Sequence, residues 1–301
     1  MNRWLIYQKE RFPLIQYVPL MAIFGFSSIS YSMHLDNPHA QFADVGIRQV
    51  IAVIVTTLSW FMLMRIADEH KDCEDDRQFR PYRPVQRGLV KLKELRYIGV
   101  FLILTQVALS AWIDWRLLCV LAPAYLWFTL MSLEFGAPKW LKAHPTIYLI
   151  SHMLIMPLID LHATSVEWLP RGGVFSFGIM LYMISSYCDG MVVEVGRKLR
   201  APENEEYGVD TYTHIWGPKR AMIVWMICMT ISGTSTVLAG FQVRIGWEVI
   251  GVLFPLYLLA AYIAVKFAKT PTPKNAKVFE VLPGVWMIIM HSMLGFLPFI
   301  K

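Results

Sequence analysis

Six acidic side chains fall within the nine positions of DEHKDCEDD, residues 68–76, directly after the apolar run IAVIVTTLSWFMLMRIA. Read as a continuation of the preceding helix, the carboxylates recur at i,i+3 and i,i+4 separations. Glu69, Asp72 and Asp76 then share one face, with Asp68 at its start. Carboxylates stacked in this way repel one another, so water or a divalent cation must neutralise them. Mg²⁺ suits a few carboxylates completed by phosphate oxygens. Directly downstream, RQFRPYRPVQRG carries Arg77, Arg80, Arg83 and Arg87, spaced by prolines that stop a helix. Guanidinium forks match phosphate oxygens. An acidic metal face beside an arginine-rich turn, at a membrane surface, is what a lipid-tailed diphosphate requires. The competing reading is a solvated loop whose acids and bases pair with one another.

A second charged stretch, CDGMVVEVGRKLRAPENEEYGVDTYTHIWGPKRA, spans residues 188–221. Asp189 and Glu194 precede Arg197, Lys198 and Arg200, whereas Glu203, Glu205, Glu206 and Asp210 follow Pro202 and read as a solvated loop.

The elements that must position these residues are membrane helices. Hydrophobic residues make up 56% of the 301, charged residues only 17%, and mean hydropathy is +0.45, more apolar side chain than a water-soluble domain buries. Apolar stretches long enough to cross a bilayer fall at about 14–33, 47–66, 97–114, 117–135, 146–163, 173–193, 220–240, 246–266 and 278–299. The first is preceded by Arg3, Lys9 and Arg11 and followed by no small-residue cleavage site, so it reads as a span rather than a cleaved signal.

Lysine and arginine alternate across these spans. One set of connections holds 23 of them and the other only Arg48, Arg116, Arg171, Arg244 and Lys301. The positive-inside rule therefore puts the N-terminus and both charged loops in the cytoplasm and the C-terminus outside. The net charge of +6 is then a topological signal, and a nucleic-acid partner is not expected. The expectation is one domain over residues 1–301, an all-α integral membrane protein. Nine transmembrane helices surround a central cavity, capped by two charged cytoplasmic loops, 67–96 and 189–220. The loops lie four spans apart and each runs from acidic to basic, which suggests a repeat of four-helix units. Cys73, Cys119, Cys188 and Cys228 are widely separated, and neither a disulfide nor a zinc site is expected.

Residues 68–88, DEHKDCEDDRQFRPYRPVQRG, resemble the first aspartate-rich motif of the UbiA superfamily of intramembrane prenyltransferases, N-D-x-x-D-x-x-x-D followed by R-P-x-R-P and a glycine. Aligned on Arg83-Pro84, Asp76 and Asp72 match the third and second aspartates. Glu69 stands for the first and Asp68 for the asparagine. The second motif departs from the family pattern. Gly208-Val-Asp-Thr211 and Gly217 fit its tail, but Asp189 and Glu194 alone represent its acids.

The resemblance implies an enzyme that uses Mg²⁺ and an isoprenyl diphosphate of the farnesyl or geranylgeranyl class. Asp68, Glu69, Asp72, Asp76, Asp189 and Glu194 would be the metal ligands. Lys71, Arg80, Arg83, Arg87, Arg197 and Lys198 would take the diphosphate, with Asp72, Asp76, Arg83 and Lys198 as the catalytic core. The prenyl group would pass to a lipophilic, aromatic-class acceptor drawn from the membrane. The alternative is a terpene cyclase of the same superfamily, in which the prenyl chain's own double bond attacks. A transporter is a third reading, opposed by the crowding of acids at one membrane face.

Among other ionisable residues, Asp160 and His162 fall toward the outer face by span count, and His152 lies at intermediate depth. Pairing between helices is the simpler role for all three. Glu134 either borders the site or pairs with Lys139. Tyr125, Trp127, Tyr148, Tyr182 and Tyr187 could line a chamber for an allylic cation, though packing and interfacial belts explain such rings as well.

Overall fold

The computed structural model describes residues 2–301, which form an all-helical bundle. A short amphipathic helix α1 (Arg3–Arg11) precedes the long α2 (Leu14–Asp36) and α3 (Ile47–Lys71). There follow α4 (Cys73–Phe79), α5 (Leu92–Ile113), α6 (Leu117–Ser132), α7 (Pro138–Ala143), α8 (Pro145–Met153) and α9 (Ile155–Trp168). The last four are α10 (Phe177–Arg197), α11 (Tyr212–Gln242), α12 (Gly246–Lys269) and α13 (Pro273–Phe296).

Eight of the nine expected spans are long and apolar enough to cross a membrane, with α8 and α9 counting together as one. The ninth, α6, has only 16 residues, because the chain turns out of the helix just before Glu134. The protein is therefore a multi-pass integral membrane protein. Its polarity is inside-out: Phe101 and Leu104 on α5 and Phe254 and Leu258 on α12 are exposed, while Ser27, Ser28, Ser30 and Ser32 on α2 are buried.

Small and hydroxyl residues let helices approach closely where lipid provides no hydrophobic drive. The Ser27 and Ser30 hydroxyls donate to the backbone oxygens of His291 and Gly295 on α13, each at 2.6 Å. A Cβ at Gly295 would lie 2.7 Å from the Ser27 Cα. Three apolar clusters result, one from α2, α3, α6 and α9, one centred on α10–α13, and a small one joining Tyr7 of α1 to Ile66, Val90 and Leu95.

Breaks in the helices place the polar residues. Pro157 has no N–H for Met153 to accept, and the chain turns at Leu154 between α8 and α9. In α11, Gly217 adopts a positive φ of 76° ahead of Pro218, so Tyr212–Trp216 forms a separate first turn.

Candidate functional site

The acidic stretch does not continue α3. The helix ends at Lys71, Asp72 sits between helices (φ −89°, ψ 7°), and α4 starts at Cys73. The break gives Glu74, Asp75 and Asp76 a new helix N-terminus, whose partial positive charge they favour. It also divides the expected metal face. Glu69 is fully buried and paired with Arg11 of α1, and its second carboxylate oxygen has no partner. Asp76, 2% exposed, holds Arg80 at 3.2 Å and pairs closely with Arg83. Asp68 makes only a 3.5 Å contact with Arg65. Asp72 has no ion-pair partner and is half-buried. Burial pushes its carboxyl above the ordinary 3.8, Asp68 and Asp76 add to the rise, and Lys71 and Arg83 oppose it.

The end of α10 faces this group. Glu194 is buried and held by Arg197 at 2.5 Å and Lys198 at 2.8 Å. A Cβ at Gly196 would meet Pro283 Cγ at 2.6 Å and the Phe279 carbonyl at 3.0 Å, so only glycine lets α10 lie this close to α13 here. Asp68 is among the charges acting on Arg197, which brings the two loops into electrostatic reach. They also touch: the Phe79 and Tyr207 rings lie 6.2 Å apart, and Gly208, at φ 77°, would drive a Cβ to within 2.4 Å of Phe79.

A third connection closes the group. Lys71 donates to the Tyr148 hydroxyl at 2.5 Å and lies 3.6 Å from Glu134. The Tyr148 ring stacks on His152 at 3.8 Å, and Lys198 lies 5.6 Å from the Tyr212 ring. Glu134 and Phe135 both have positive φ, 49° and 53°, a strained conformation for side-chain-bearing residues and a common feature of functional sites. Counted through these pairs, the cluster holds six acids and seven bases, a net charge of +1.

Two expected site residues lie elsewhere. Arg87 is exposed and pairs with Glu10 of α1 at 2.8 Å. Asp189 is buried further along α10 and accepts from Ser232 at 2.6 Å, a hydroxyl that also accepts from Trp286 at 3.0 Å. Asp160 is fully buried. Its polar neighbour is Ser186, the midpoint of α10, yet neither completes a hydrogen bond. His162 bonds Ser110 at 2.9 Å. Of the late acids, Glu205 accepts from Thr211 at 2.7 Å and Thr213 at 2.8 Å, so threonine hydroxyls rather than bases hold it. Glu134 pairs with Lys71, not Lys139. Arg11, Tyr212 and the strained turn at Glu134 join the group without a motif to mark them.

No protein-family model matches the sequence, and no curated protein matches it significantly. Solved structures do match in fold. A UbiA homologue from Aeropyrum pernix K1 in its apo form aligns at TM-score 0.66 and 11% identity, over 90% of this chain and 96% of that one. A digeranylgeranylglyceryl phosphate synthase structure aligns at 0.62 and 16% identity, over 97% and 99%. A UbiA homologue from Archaeoglobus fulgidus bound to GPP and Mg²⁺ aligns at 0.53 and 12% identity, over 96% and 99%. Across essentially its whole length, this chain has the fold of the UbiA homologues.

Proposed function

We propose that the protein is a Mg²⁺-dependent intramembrane prenyltransferase of the UbiA superfamily that ionises an isoprenyl diphosphate and transfers the prenyl group to a lipophilic acceptor. The observation that carries this reading is the meeting of the α3–α4 acids with Glu194, Arg197 and Lys198 at one end of the bundle. The fold adds support, since structurally similar UbiA homologues were solved with GPP and Mg²⁺ or with DMAPP and Mg²⁺. The donor set fits Mg²⁺: Asp72 is an unpaired carboxylate crowded by Asp68 and Asp76, a position a cation relieves.

Mg²⁺ between these carboxylates and the diphosphate would supply Lewis-acid stabilisation of the leaving group. Asp76 fixes two guanidiniums, Arg80 and Arg83, and Glu194 fixes Arg197 and Lys198. Cations held in place before reaction cost no reorganisation when charge grows on the departing diphosphate, so they stabilise the transition state more than the ground state. Lys71, tied to Tyr148 and Glu134, adds a further donor at the same mouth. The helical bundle keeps water from the allylic cation. Nine crossings, with α6 as the short one, place both charged loops and the N-terminus in the cytoplasm and the C-terminus outside, following the distribution of lysine and arginine.

One observation favours the cyclase reading. Asp160 is fully buried beside Ser186 of α10 with neither carboxylate oxygen bonded, and a cation migrating along a folded prenyl chain would be drawn to such a carboxylate. Incubating the purified protein with Mg²⁺ and a panel of prenyl diphosphates, with and without aromatic acceptors, tests both. A prenylated acceptor supports transfer and a cyclic hydrocarbon without acceptor supports cyclisation. No diphosphate release from any donor, with divalent-cation flux in vesicles instead, would replace both with the transporter reading.

A further inference from the structure

Within the head-group site just proposed, on which this inference rests, the chain's own cations already occupy most of the carboxylates. Arg11 holds Glu69, Arg80 and Arg83 hold Asp76, and Arg197 and Lys198 hold Glu194. A metal at Glu69 would have to displace an arginine that is itself only 11% exposed, leaving a nearly buried guanidinium without its partner. Asp72 has no ion-pair partner, and Asp68, one helical turn earlier, has only the 3.5 Å contact with Arg65. No cluster of three or more His, Cys, Asp or Glu side chains poised to hold a metal occurs among the described residues. Two free carboxylates completed by phosphate oxygens and water are nevertheless an ordinary donor set for one Mg²⁺.

Charge points the same way. The cluster's net charge is +1. An ionised prenyl diphosphate carries about −3, so one divalent cation brings the loaded site to about zero and a second would leave about +2 in a half-buried place. We infer that the diphosphate is bound with a single divalent cation, held by Asp68 and Asp72, and that Arg197 and Lys198, two cations against the one carboxylate of Glu194, supply positive charge in place of a second metal. Arg11 stays with Glu69, so α1 withdraws that carboxylate from the metal.

The test counts metal directly. Detergent-purified protein is equilibrated with Mn²⁺ and unreactive farnesyl thiodiphosphate, and bound Mn²⁺ is counted by electron paramagnetic resonance. One Mn²⁺ per chain is expected, retained in Glu69→Gln and weakened at least tenfold in Asp72→Asn. Two Mn²⁺ per chain would overturn the single-metal site while leaving the diphosphate reading intact. Loss of the one Mn²⁺ in a Glu69→Gln protein that still elutes as a folded species would overturn it as well. Failure of the wild-type protein to bind the thiodiphosphate at all would overturn both readings. Should Glu69→Gln not fold, because it loosens α1, the wild-type count decides alone.

Discussion

Replacing Arg11 by methionine tests how α1 is held. The substitution keeps most of the side chain's length but leaves Glu69, 0% exposed, as a buried carboxylate with no counter-charge. Breaking a buried ion pair from one side costs about 3–5 kcal/mol. The cheapest relief is for α1 to lift and admit water. Its other tethers, Arg3–Glu94 and Arg87–Glu10, are substantially exposed and screened by water, so they contribute little. Burial of Tyr7, 2% exposed, contributes about 1.5–3 kcal/mol more. The cost thus matches or exceeds what remains, and a nine-residue helix released from its support unravels in water. At about 1.4 kcal/mol per factor of ten, the open fraction of α1 should rise by about 10² or more. Hydrogen exchange read by mass spectrometry on a peptide covering residues 3–12 measures this. The double variant Arg11→Met with Glu69→Met, which removes both charges, should recover most of the protection. Protection unchanged in the single variant would refute the buried-pair account.

Acidification should weaken Mg²⁺ binding from a higher pH than for an ordinary carboxylate, because Asp72 must lose its proton to bind metal and burial raises its pKa. The same shift has an opposite sign for metal-free stability. The folded state holds the Asp72 proton more tightly than the unfolded one, so stability falls as pH rises from about 3.8 to the folded pKa, and Asp72→Asn should flatten that slope in a thermal-shift series. Gly196→Ala should cost about 1–3 kcal/mol by pushing α10 off Pro283, whereas Gly251→Ala, with open space around its Cβ, should hold or raise the melting temperature. Asp160→Leu should raise the melting temperature by removing a buried carboxyl that has no partner, an effect of about 1–3 kcal/mol. An unstable Asp160→Leu protein would mean the carboxyl has partners that the fold does not reveal.

Long apolar stretches and the spacing of basic connections are written into individual residues, so the helical spans could be read from the sequence alone. The local motif could be read too, because Asp76, Arg80 and Arg83 lie within eight positions and meet through helix and turn geometry. What escaped depends on contacts between distant segments. Arg11 lies 58 positions from Glu69 and belongs to an ordinary amphipathic helix. Tyr148 lies 77 positions from Lys71 and reads as one aromatic among many. The break at Asp72 was hidden for a different reason: DEHKDCEDD carries no proline or glycine, and repulsion within the acids with the gain of a new N-terminus ends the helix.

Packing near the proposed head group differs from packing deeper in the bundle, and that difference bears on how a prenyl chain would be accommodated. Around the head group, α10 is wedged against α13 at Gly196, α1 is tied to α3 by a buried pair, and Phe79 closes on Gly208. Deeper in the bundle, a cavity of about 10 Å³ lies between Met21, Phe24, Phe61, Met156 and Met287. That is room for about one water molecule, far less than one isoprene unit. A chain bound there must displace side chains. Methionines are the groups that move at least cost, being unbranched and polarisable. For the prenyl chain proposed above, the three methionines beside this cavity are therefore the side chains that would give way.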